Sequence, residues 1–351
     1  MTPATTATES PALPCPADGV DEFLSRPSPE ATAVLARTEG PVLVLGAGGK
    51  MGLHLSLMLQ RALASLGRPH ALTAVSRFTT LHDCADFTRH GIATQAADLC
   101  DPAVLAALPE APTVFFLAGV KFGTASSPEL LRRINSELPA FVAERFRHAR
   151  IVAFSTGCVY PFVRPDTGGA TEETPTAPVG EYAASCLDRE VAFGAGAQQH
   201  GTRVALIRLN YSVEFRYGVL VDLAQKVLAG QPVDLTTGHV NVIWQRDALD
   251  HTIRALDLAG TPAVPVNITG PDVLSVRALA IRFGELCGRP VAFTGREADT
   301  AWLNNAAWSH RRFGRPPTSV EDMQRWIVAW LRHGGGTWGK PTAFEKRDGR
   351  F

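Results

Sequence analysis

Gly46, Gly49 and Gly52 recur at three-residue spacing in "VLVLGAGGKMG", directly after an apolar run and at the start of a helical pattern. Glycines so placed can hold a pyrophosphate. Gly46 permits the tight turn, Gly49 lets the backbone approach the phosphates together with Lys50 and Met51, and Gly52 lets helix and strand pack closely. The helix start adds exposed N–H groups and the positive end of its dipole. The chemistry implied is dinucleotide binding, with an ordinary strand-to-helix turn as the plain alternative. The second apolar run ends "AVSRF". A site selecting NAD places an acidic residue there for the ribose 2′-hydroxyl. Ser76 and Arg77 stand there instead and suit a 2′-phosphate, so NADP is expected over NAD unless Arg77 is merely a solvated loop residue. "AADLCD" puts Asp98 and Leu99 at the end of a third strand, where Asp98 could face the adenine or simply start a helix. Further on, "GEYAASCLDRE" sets Tyr182 and Cys186 one turn apart on the same helical face.

The elements that must hold these residues alternate regularly. "PVLVLG" (41–46), "ALTAVS" (71–76), "TVFFLAG" (113–119), "RIVAFST" (150–156) and "RVALIR" (203–208) read as buried strands. Helical patterns fall between them, from Met51 to Leu66, over 128–147 and through "EYAASCLDREVAF". Continuous apolar strands alternating with amphipathic helices predict an α/β fold: a doubly wound parallel sheet covered on both faces. After Asn210 the pattern changes to helices at 219–229, 247–258, 275–287 and 319–332 with short extended pieces between them, which predicts a smaller mixed α/β lobe. The expected organisation is a tail with a short helix near Val20 to Leu24 (1–40), a dinucleotide-binding domain (41–212), an interleaved substrate lobe (213–333) and a C-terminal tail (334–351) that packs along a surface.

Bulk composition excludes several classes. The 351 residues are 45% hydrophobic and 19% charged with zero net charge, enough apolar material for a sizeable core and no electrostatic grip for nucleic acid. No apolar run approaches the ~20 residues that span a bilayer, so no membrane partner is expected. The N-terminus lacks the basic and apolar regions of a signal peptide. Six cysteines without a CxxC pair or His–Cys metal spacing fit reduced thiols in a cytoplasm and no metal site.

The glycine spacing, then "FFLAGVK", "FSTGCVYP" and "YAASC…E" in that order, resembles the extended short-chain dehydrogenase/reductase family, within it the nucleotide-sugar epimerase/dehydratase branch. "RLNY" (208–211), "VIWQRDALD" (242–250) and "VNITGPDVLSVRALA" (266–280) are similar to its C-terminal features, and the resemblance runs from about Pro41 to Leu331. It implies a Rossmann-like domain and an NAD(P)-dependent oxidoreductase, epimerase or dehydratase acting on a sugar-like hydroxyl or keto group. It also implies roles: Tyr182 as acid/base, Thr156 orienting the substrate oxygen, Asn135 as a helix asparagine of the site, and Leu117, Ala118, Gly119 and Lys121 passing under the nicotinamide. Glu190 is expected to be structural. Each has a plain alternative: Thr156 as a strand end, Tyr182 as an interface residue, Asn135 as a surface residue near Pro139.

One feature of the family pattern is missing. Four residues after the tyrosine the family carries a lysine, which bonds the nicotinamide ribose and lowers the tyrosine pKa; here Cys186 stands there. A thiol carries no positive charge and bonds weakly. The alternatives are a neutral tyrosine helped by another cation, with Lys121 the candidate; chemistry such as elimination that needs no tyrosinate; or a dinucleotide-binding sensor without turnover. Arg189, seven residues after Tyr182, is expected to lie too far along the helix for the same ribose. For the substrate, Asn210, Arg216 and Tyr217 are candidates, Arg216 as an anion clamp or as a partner of Glu214 or Asp222. A homodimer is expected through the helices at 128–147 and 180–197, whose stripes (Leu131, Ile134, Leu138, Val142; Leu187, Val191) could serve core or dimer.

Overall fold

A computed structural model of the chain describes residues 11–121 and 127–349; the first ten residues of the expected tail, and Phe122 and Gly123 of "AGVKFG", lie outside the described residues. Its centre is a seven-stranded sheet. In chain order the strands are β1 (Val42–Leu45), β2 (Leu72–Ser76), β3 (Ala93–Ala96), β4 (Thr113–Phe116), β5 (Arg150–Thr156), β6 (Arg203–Leu209) and Val264–Ile268. The spatial order is Val264–Ile268, β6, β5, β4, β1, β2, β3, and every pair is parallel. The order reverses at β1, between β2 and β4, where an open α/β sheet leaves a crevice for a ligand.

The strands are apolar throughout because both faces are covered. Val42 and Val44 of β1, with Val152 and Phe154 of β5, pack on one side among Leu55, Leu59 and Ile253; Leu43, Leu45, Ile151 and Ala153 pack on the other among Val142, Phe193 and Ala197. One face is thus closed by helices Pro29–Ala36, Gly52–Ser65 and Gln245–Arg254, the other by Leu138–Arg145 and Glu181–His200. Of the two stripes expected to serve core or dimer, Leu131, Ile134, Leu138 and Val142 are buried in the monomer, while Val191 is 64% exposed.

A second core lies in the lobe, under helices Val219–Leu228, Val276–Cys287 and Val320–Arg332. Both ends of the chain enter it. Val20, Phe23 and Leu24 come from the short helix Val20–Leu24, and Phe23 meets Trp326 edge-on at 5.5 Å. Phe344, from the C-terminal segment whose described residues, 334–349, form no helix or strand, is buried there too. That segment then reaches the start of helix Glu181–His200: Gly180, at φ +85°, lies so close that a Cβ on it would stand 2.7 Å from Gly349 Cα.

Candidate active site

The glycine turn is built as its spacing requires. Gly46 has φ +86°, and a Cβ there would fall 2.4 Å from the Ala118 nitrogen; one on Gly52 would fall 2.1 Å from the Ala47 carbonyl oxygen. Only residues without side chains allow these approaches. Gly49 differs, since a Cβ there would meet nothing nearer than the Gly46 oxygen at 3.7 Å. It borders open space.

That space consists of two cavities sharing Gly46, Gly49, Leu117 and Gly119 as walls. The smaller, about 170 Å³, is lined by Ser76, Arg77, Asp98, Leu99 and Ala118. The larger, about 310 Å³, is lined by Lys50, Met51, Gly52, Lys121, Thr156 and Tyr182 on the sheet side, and by Asn210, Tyr211 and Tyr217 toward the lobe. A dinucleotide fits this layout, because bare backbone at Gly49 lies between two cavities that open side by side along the glycine turn. The glycine turn and residues 117–119 would hold it. Phe78 and Tyr211, both at positive φ, border the two cavities, although the sequence assigned neither of them to the site.

Thr156 ends β5, and its Oγ1 accepts from the Cys158 N–H at 3.2 Å, capping the turn Gly157–Val159. The Thr156 side chain also hydrogen-bonds the Cys158 thiol. Tyr182 sits in the first turn of helix Glu181–His200. Burial raises its pKa well above 10, with Cys186 and Cys158 adding and Arg189 opposing. Its phenol hydrogen-bonds the Cys186 thiol, whose own pKa is raised by burial. Tyr182 is therefore a neutral phenol beside a neutral thiol. The Lys121 ammonium lies 5.6 Å from the Tyr182 ring centroid, and burial lowers its pKa.

Asn135 is fully buried, on a π-helical stretch, Arg132–Glu137, inside the 128–145 helix. Its Oδ1 accepts from the Val120 N–H at 3.0 Å and its Nδ2 donates to the Val120 carbonyl at 2.9 Å, fixing the backbone next to Lys121. The same Oδ1 accepts from Arg189 at 3.0 Å, and Arg189 also donates to the Phe154 carbonyl at 2.7 Å. The guanidinium lies under Gly119, where a Cβ would stand 2.8 Å from it. Arg189, set aside from its place in the sequence, is thus wedged beneath the segment that walls both cavities. Side chains on a helix lean toward its N-terminus, and that lean returns the guanidinium by about the turn that spacing alone counts against it. Glu190 is structural in its contacts: it takes Arg208 at 2.6 Å and Ser155 at 2.6 Å, both in the interior.

Arg216 is not brought to the cavity. Its Nε donates to Glu214 at 3.1 Å, Nη1 donates to Asp21 at 3.0 Å, and the guanidinium stacks on Trp338 at 4.5 Å. The expected anion clamp is corrected to the alternative ion pair: two carboxylates already saturate it. Asn210 lines the cavity and donates to the Trp302 carbonyl at 3.3 Å. Among the described residues no group of three or more His, Cys, Asp and Glu side chains could hold a metal ion, and no helix is long and apolar enough to cross a membrane.

No curated protein matches the sequence. Solved structures match in fold. The UDP-glucose 4-epimerase of Thermus thermophilus, solved in complex with NAD, superposes with a TM-score of 0.68 at 20% identity, over 83% of this chain and 99% of that one. The dTDP-glucose 4,6-dehydratase DesIV of Streptomyces venezuelae, solved with NAD and TYD bound, gives 0.69 at 20% identity over 84% and 97%. Pal from Bacillus thuringiensis gives 0.68 at 17% identity over 84% and 99%. The model of the NAD dependent epimerase/dehydratase family matches residues 42–261, which is more than half of the sequence. The chain, a Rossmann-like sheet with a C-terminal lobe, therefore belongs to the NAD-dependent epimerase/dehydratase family of enzymes, within the extended short-chain dehydrogenase/reductase branch.

Proposed function

We propose that the protein is an NAD(P)-dependent oxidoreductase, epimerase or dehydratase acting on a hydroxyl or keto group of a sugar-like substrate, with Tyr182 as proton carrier and Thr156 orienting the reacting oxygen. The observation that carries this reading is the convergence of Thr156, Tyr182 and the glycine turn on one cavity. A bound nicotinamide would supply the hydride acceptor and donor. Thr156 donates a hydrogen bond to the substrate oxygen. Tyr182, a neutral phenol, gives its proton to that oxygen as charge develops there. Lys121 and Arg189 are the cations near the phenolate so formed. A neutral phenol favours the protonating direction, and equally suits elimination, where the tyrosine need only act as an acid.

NADP is favoured over NAD because Ser76 and the exposed Arg77 line the adenosine-side cavity. The neighbours that were solved with NAD support the broader class of cofactor. The competing reading, a dinucleotide-binding sensor, is separated by Tyr182→Phe and Thr156→Val, assayed by NAD(P)H fluorescence on a panel of nucleotide sugars and sugar acids. On whichever substrate turns over, each change should cost about 10²–10⁴-fold in kcat while cofactor affinity stays within about threefold. Full turnover in both variants would remove the assigned roles.

A further inference from the structure

Residues 338–349 bridge the lobe and the sheet domain and are tied to both. The Trp338 N–H donates to the Arg216 carbonyl at 3.1 Å, its indole N–H donates to Glu214 at 2.8 Å, and its ring meets His82, from the loop after β2, edge-on at 5.8 Å. Lys226 pairs with Glu345, and Phe344 is buried in the lobe core. Arg347 donates to the Thr300 hydroxyl at 2.8 Å and stacks on Phe162 at 4.1 Å. Gly349 ends against Val179 and Gly180, just before Tyr182. The middle of the segment separates two spaces. Thr342 lines the 310 Å³ cavity that holds Thr156 and Tyr182. Pro341 and Glu345, on either side of it in sequence, line an outer groove of about 680 Å³ together with Asp222, Lys226 and Leu331. The partition rests on one carboxylate: Asp222 Oδ2 accepts the Thr342 N–H at 2.8 Å and the Thr342 hydroxyl at 2.6 Å. The next residue, Ala343, stands at φ +54°, a left-handed conformation that a residue with a Cβ adopts only at a cost. A strained turn held by two bonds to a carboxylate, in a segment with no helix or strand of its own, is a joint that opens locally when those bonds break.

We propose that residues 338–349 are a gate on the active-site cavity, latched by Thr342 and Asp222, and that lifting it joins the cavity to the outer groove and admits small molecules to Thr156 and Tyr182. The gate goes beyond the function proposed above, because it governs access to the cavity and not the reaction inside it. Two buried cysteines allow access to be read directly. Cys158 lines the cavity and is 7% exposed; Cys287, 8% exposed, belongs to the lobe core and does not line the cavity. A reagent that enters through the gate reaches Cys158 at a rate set by the open population, while Cys287 reports general loosening of the lobe.

The test treats wild type, Thr342→Val and Asp222→Asn with N-ethylmaleimide and follows the rate at each cysteine by peptide mass spectrometry. Thr342→Val keeps the shape of the side chain and the backbone bond but removes the hydroxyl bond; Asp222→Asn keeps the shape and removes the charge. In the wild type, Cys158 should react more slowly than the half-buried Cys84. Each variant should speed Cys158 by about tenfold, the loss of one bond to a charged group, and leave Cys287 within about twofold. The proposal is overturned if Cys158 of the wild type reacts as fast as Cys84, if the variants leave its rate unchanged, or if Cys287 speeds up equally, which would mean that the segment only holds the lobe together. The rates are measured without cofactor, so the gate can fail while dinucleotide binding stands, and the reverse.

Discussion

One helical turn after Tyr182 stands Cys186, whose thiol shares a hydrogen bond with the phenol. With Tyr182 as the proposed proton carrier, two residues would supply positive charge near it. Arg189 is always charged and is held rigidly by Asn135 and the Phe154 carbonyl. Lys121 is the second cation, its ammonium 5.6 Å from the phenol ring centroid. Loss of the Lys121 charge should therefore matter far more than loss of the Cys186 thiol. Steady-state kinetics should show Lys121→Met lowering kcat by about tenfold or more, one pKa unit's worth of phenolate stabilisation, while Cys186→Ser stays close to wild type. A harmless Lys121→Met would end the substitute-cation account and leave elimination by a neutral acid as the better one. The positions of Tyr182 and Cys186 were legible because helical register fixes an i, i+4 pair. The reach of Arg189 was not, since spacing along the chain says nothing of where a long side chain leans.

The sheet strands and the longer helices were equally legible. β5 and the "ALTAVS" and "RVALIR" strands fall where continuous apolar runs placed them, and helix Val276–Cys287 ends within a residue of its pattern. Helix Pro29–Ala36 was missed because its sequence, opening on Ser-Pro after a Thr- and Pro-rich stretch, shares the tail's composition. The cluster around Arg216 shows why such segments fold. It joins Asp21 of the first helix, Glu214 of the lobe and Trp338 of the C-terminal segment, and its Nη2 also meets His54 of the glycine-turn helix. Glu214 is almost completely buried. Removing its cation leaves an uncompensated interior charge, so Arg216→Met should cost about 3–5 kcal/mol in urea unfolding. Unchanged stability with weakened substrate binding would restore Arg216 to the role of substrate clamp.

At the scale of the whole molecule, the site lies between a sheet whose strands reverse order at β1 and a lobe that both chain ends help to build. The sequence shows the sheet's alternation directly. It does not show that Phe23 and Phe344, more than three hundred residues apart, share one core, because such packing depends on how distant segments return to one another and not on any local period. Dinucleotide binding would depend most on the pair of cavities that share Gly49 as a wall. A Cβ there would meet only the Gly46 oxygen, at an ordinary contact distance of 3.7 Å, so Gly49→Val should fold while occupying the room left for a pyrophosphate. The decisive measurement is a fluorescence titration of NADPH and NADH into wild type and Gly49→Val. The account predicts binding to the wild type, NADPH the tighter, and a loss of about tenfold or more in the folded variant. Binding of neither dinucleotide to the wild type, or equal binding by the two proteins, would contradict it.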